Sequence, residues 1–90
     1  MESFVINNNG KEGTVKIGEV KSNSYGNIKM VEIIELIVED VMKVKNALAY
    51  IAFGHDEKEK EVKQKFMKLE NDGPTLEITD PSFISFLQEA

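Results

Sequence analysis

Between Ile28 and Phe53 the chain carries apolar residues at alternating steps of four and three: Met30, Ile34, Ile37, Val41, Val44, Leu48 and Ile51. Positions three and four apart share a face of an α-helix, so an unbroken seam of this kind predicts a helix buried along one stripe. Val31, Ile33 and Val38 widen the stripe in its first half, and Ala47 and Ala52 flank it in the second, where small side chains permit close packing. Glu32, Glu35 and Glu39 take the other side, with Glu39 four residues ahead of Lys43. Asn27 is placed to cap such a helix and Gly54 to end it. The expectation is one long helix over 28–53, about 39 Å in length if regular. A competing pattern overlaps its first half. Ile28, Met30, Ile34, Leu36 and Val38 share parity and only Glu32 breaks it, so this stretch also reads as a third strand ahead of a helix from about Val38.

The flanks supply the other elements. Asn9-Gly10 suits a type I′ turn, whose two central positions both need positive φ. With that turn, Asn8 opposes Lys11, Ile6 opposes Gly13 and Phe4 opposes Val15, so Phe4, Ile6, Val15 and Ile17 share one face of a hairpin over 3–21. Gly18 suggests a bulge or a close approach in the second strand. Asp56 with Glu59 forms a capping pattern, and Val62, Phe66 and Leu69 form a narrow stripe, which together predict a second helix over 56–70. Asn71-Asp72-Gly73-Pro74 stops it, Thr75 to Thr79 alternates as a short strand, and Asp80-Pro81 opens a last helix over 81–89 with Phe83, Phe86 and Leu87 inward. The predicted fold is a single α+β domain in the order ββααβα, a three-stranded, largely antiparallel sheet packed against a long central helix and two shorter ones.

Ninety residues suffice for one domain, and there is no apolar run long enough for a spanning helix and no signal-peptide pattern at the start. With no cysteine, disulfides, thiolate zinc sites and cysteine nucleophiles are excluded, and a cytoplasmic location is the default. Sixteen acidic residues face eleven lysines, giving a net charge of −5, and arginine is absent. An acidic, arginine-free chain is poorly equipped for nucleic acid, since counterion release needs concentrated positive charge. It suits a basic protein surface better, although moderate negative charge also serves solubility alone.

No catalytic set emerges. His55 is the single histidine, which excludes two-histidine metal sites and histidine relays; its spacing to Glu59 is weak support for a ligand pair. Gly13 to Gly18 has the outer spacing of a phosphate loop, but Glu19 and Val20 occupy the lysine and hydroxyl positions. No catalytic, cofactor or metal residue is therefore assigned. On the long helix, Leu36, Tyr50 and Phe53 lie away from the seam and Met42 at its margin, beside the acidic residues Glu57, Glu59 and Glu61 of the second helix. These seven are the candidate partner-binding residues.

The expectation is a non-enzymatic interaction protein that binds a protein partner as an inhibitor or accessory factor, with a homodimer as a further option and neither nucleic acid nor membrane as a target. A lysine-, isoleucine- and asparagine-rich chain without arginine also suggests an AT-rich genome, such as that of a phage or mobile element. The alternative is a small-ligand binder with a pocket between sheet and helices or at a dimer interface.

Overall fold

A computed structural model describes residues 2–22, 28–52 and 66–89. Six strands follow one another: β1 (Glu2–Asn8), β2 (Lys11–Ser22), β3 (Ile28–Val38), β4 (Met42–Ala52), β5 (Phe66–Leu69) and β6 (Thr75–Glu77), then helix α1 (Pro81–Glu89). Each strand pairs antiparallel with the next, and β1 meets β6 through Asn7 and Glu77, so the sheet closes into a barrel.

The α+β architecture is thus corrected to a six-stranded antiparallel barrel with one short helix. No helix occupies 28–52: β3 and β4 form a hairpin in continuous register from Ile28↔Ala52 to Val38↔Met42. This also removes the variant in which a helix begins near Val38. The second expected helix fares similarly, since Phe66–Leu69 is strand β5, while 56–65 lies outside the described residues. The last short strand is confined to Thr75–Glu77.

The hairpin wins for two reasons. Ile28, Val31, Ile33, Ile34, Ile37, Val38, Val44 and Ile51 are β-branched; they lose side-chain freedom in a helix and pack well on a pleated surface. The inward alternation also slips once along each strand. On β3 it runs Val31, Ile33, then Leu36, Val38; on β4 it runs Met42, Val44, then Ala47, Ala49, Ile51. The slip on β4 falls at Asn46, which holds φ 55°, and the pairing of β3 with β2 shifts on either side of Ile17. A period of two with one step of three imitates a helical period over a short window. Outward Met30, Ile34, Ile37 and Leu48, each half-buried, fill the remaining seam positions. Of the seven seam residues only Ile51 is fully buried, and Val41 is 41% exposed in the turn.

The two ends of the barrel are built differently. One carries three tight turns with left-handed residues: Asn9 and Gly10 (φ 50° and 91°), Asp40 (φ 59°), and Asn71 and Asp72 (φ 60° and 56°). Paired positive φ values at Asn9-Gly10 and Asn71-Asp72 are the type I′ pattern, and the second turn closes with Gly73 N–H donating to the Glu70 carbonyl at 3.2 Å. The β1–β2 hairpin has the register its turn requires, with Asn8↔Lys11, Ile6↔Gly13 and Phe4↔Val15. Gly13 faces inward, where a Cβ would lie 2.5 Å from the Ile37 carbonyl oxygen.

The other end is closed by α1. Asp80 caps the helix, its Oδ1 accepting from Ser82 N–H at 2.9 Å and from Ser82 Oγ–H at 2.6 Å. Its Oδ2 accepts from Val5 N–H at 3.1 Å, tying the helix start to β1. These hydrogen bonds, that of Ser82 Oγ first and that of Val5 next, hold the Asp80 carboxyl below its ordinary pKa. Phe83 stacks on Phe4 with centroids 4.6 Å apart, Leu87 is fully buried beside it, and Lys29 Nζ donates to the Leu87 carbonyl near the helix C-terminus. The interior is filled by apolar side chains from every strand and α1, and no buried residue among those described is polar or charged.

Candidate functional site

Period-two alternation sends every second residue of the wall outward, and pairing lines those residues up across strands. One such row runs Lys21, Met30, Tyr50, Lys68, Thr75 from β2 to β6. The neighbouring row toward the helix end holds the pairs Ile28↔Ala52 and Phe66↔Glu77. Together they make a groove of about 330 Å³ lined by Ile28, Tyr50, Ala52, Phe66, Lys68 and Thr75. Among the described residues four large hydrophobics are clearly exposed: Ile28 (38%), Val41 (41%), Tyr50 (40%) and Phe66 (49%). Three of these four meet in this one groove.

The β5–β6 turn organises its polar rim. Tyr50 Oη–H donates to Glu70 Oε1 at 2.5 Å, and Lys68 Nζ donates to the Gly73 carbonyl at 3.2 Å. The bond to Glu70 favours the protonated phenol and raises the Tyr50 pKa, with desolvation and the nearby negative charge acting in the same direction. Both polar tips are thereby tethered to the turn, and the ring of Tyr50 is left beside Phe66 and Ile28. Glu70 and Glu32 border Leu48 in the next row, and Glu77 pairs with Phe66, so three carboxylates stand at the margin of a groove that Lys68 lines, with Lys21 at the far end of its row. A second groove, of about 480 Å³, begins at Glu77 and runs between Ile78, Thr79 and the Pro81, Ile84 and Ser85 side of α1.

The sequence-derived candidates scatter. Leu36 points into the barrel and is fully buried, so it has no surface to offer; the long helix that would set it off the seam with Tyr50 does not form. Met42 is half-buried against the core at the turn end of β4, eight residues along the strand from Tyr50. Tyr50 alone is in the groove. Phe53, Glu57, Glu59 and Glu61 lie outside the described residues, as does His55. Ile28 and Phe66 are not among the sequence candidates, because the helical spacing makes one a helix start and the other a helix core position. The alternation Phe66 out, Met67 in, Lys68 out, Leu69 in was the signal available for the latter.

The groove offers an apolar floor with a hydrogen-bonded polar rim. Among the described residues no group of three His, Asp or Glu side chains is placed to hold a metal ion. Among the same residues no helix is long and apolar enough to cross a membrane. Comparison with family models, curated proteins and solved structures gives no match.

Proposed function

We propose that this barrel is a small non-enzymatic protein-binding module, and that the groove around Tyr50 and Phe66 docks an apolar side chain of a protein partner flanked by basic residues. The observation that carries this reading is the gathering of Ile28, Tyr50 and Phe66 on one outward face, since scattered exposed hydrophobics are ordinary and contiguous ones mark contact surfaces. Charge supports the partner's chemistry. Asp56, Glu57, Glu59 and Glu61 are matched by as many lysines within 53–65, so the net charge of −5 resides in the rest of the chain. Carboxylates at the groove margin steer a basic partner and fix its register. An inhibitor or accessory factor, acting in the cytoplasm, is the role this fits. A ligand pocket inside the barrel is not favoured, because the interior is filled by apolar side chains.

The test is a comparison of baits in lysate of the native host: the wild-type chain, Phe66→Ser, and Val41→Ser as the exposed hydrophobic outside the groove. A protein retained by wild type and Val41→Ser, lost from Phe66→Ser and released by salt supports the reading. Retention indifferent to Phe66→Ser overturns it. A wild-type dimer in light scattering that Phe66→Ser dissolves would assign the face to self-association instead.

A further inference from the structure

Asn9-Gly10 is the one asparagine–glycine step in the chain. At such a step the glycine nitrogen attacks the preceding side-chain amide with least hindrance, because glycine has no side chain to obstruct ring closure. Both residues are exposed to water, which the reaction consumes. Here that nitrogen is already engaged: Gly10 N–H donates to Asn7 Oδ1 at 2.8 Å, while Asn9 and Gly10 hold the φ values of a type I′ turn. We infer that Asn9 is a latent deamidation site, and that Asn7 is the residue that holds the reaction off while the barrel is folded.

In the reaction the Gly10 nitrogen gives its proton to hydroxide and bonds to Asn9 Cγ. The Cγ–Nδ2 bond breaks and the amide nitrogen leaves as ammonia, taking a proton from water. A second water opens the five-membered imide at either carbonyl, leaving aspartate or isoaspartate. Asn7 opposes the first step in two ways. Its hydrogen bond stabilises the N–H that must be lost, and it pins a main chain that must leave the turn geometry for the ring to close. Isoaspartate lengthens the main chain by one carbon, which a two-residue turn cannot absorb without loosening the β1–β2 register. Asn46 and Asn71 also hold positive φ, but alanine and aspartate follow them, so they serve as internal references.

Wild type, Asn7→Ala and Asn7→Asp are incubated at mildly alkaline pH, folded and in denaturant, and isoaspartate is followed by peptide mapping and mass. Folded wild type is expected to react several-fold more slowly than in denaturant, and folded Asn7→Ala several-fold faster than folded wild type. Asn7→Asp keeps an acceptor oxygen and stays near wild type, and all three converge when unfolded. Equal rates for folded wild type and Asn7→Ala overturn the inference, as does a folded wild type that reacts as fast as the unfolded chain. If Asn7→Ala does not fold, amide exchange at Gly10 in the wild type decides: slow exchange supports the hydrogen bond, and fast exchange overturns it.

Discussion

The outer wall of the barrel has two unlike halves. Over β1 and β2 it is polar, presenting Ser3, Asn7, Glu12, Thr14 and Lys16 with only Val5 among them. Over β3, β4 and β5 it presents Ile28, Met30, Ile34, Ile37, Leu48, Tyr50, Ala52 and Phe66 among the charged Glu32, Glu35, Lys43, Lys45 and Lys68. Both halves bury the same kind of inner face, so the outer apolar residues are surplus to what closing the barrel requires. An antiparallel sheet with one wet face needs alternation only. The excess on one side is what distinguishes a candidate docking face from a wall.

The comparison can be broken from the inside first. Leu36→Ala deletes a fully buried side chain near the turn end of β3 and is expected to cost about 2–5 kcal/mol, read as a lowered urea midpoint. That is a large share of the roughly 5–15 kcal/mol that holds a small domain together. A cost near zero would mean the residue faces water.

A smaller effect is expected at the helix end. Asp80→Ala removes the helix cap and the link to Val5, for a loss of about 1 kcal/mol. The folded carboxyl has a depressed pKa, so its contribution is present above the unfolded carboxyl range and is lost as pH falls through the folded value. Urea midpoints measured down an acid series should therefore fall less steeply for Asp80→Asn than for wild type. Parallel curves would contradict the assignment.

The smallest effect on stability is expected on the outer face. Phe66→Ser should change stability by no more than about 0.5 kcal/mol, read from the urea midpoint, while changing binding. Tyr50 titrates alongside it: the raised phenol pKa means that stability from its bond to Glu70 is intact below pH about 10 and fades above it. Ultraviolet titration should return to an ordinary phenol in Glu70→Gln only in part, since desolvation remains.

The same surplus explains what could be read from the sequence. The β1–β2 hairpin was legible because its outer face is polar and Asn9-Gly10 names its turn. The last helix was legible from Asp80-Pro81. The β3–β4 hairpin was not, because its outer face is apolar too and its alternation slips at Asn46. Its turn is also made by Glu39, Asp40 and Val41, closed by Val41 N–H to the Val38 carbonyl at 3.0 Å, without a glycine to announce it. Barrel closure rests on one β1–β6 pair between residues seventy positions apart, which no local pattern encodes. Of the site, Tyr50 stood out because it fell off the imagined seam, whereas Ile28 and Phe66 were absorbed into helices that do not form.

The central claim is that Leu36 of β3 faces the interior of the barrel while Phe66 of β5, equally apolar, faces outward. A chain without cysteine allows it to be measured directly, by introducing single thiols as Leu36→Cys and Phe66→Cys and timing their reaction with a maleimide in native buffer. The barrel predicts that the thiol of Phe66→Cys reacts nearly as fast as a free one, while that of Leu36→Cys reacts only through unfolding and speeds up in urea. Comparable rapid labelling at both positions, or protection at 66 with exposure at 36, would contradict it.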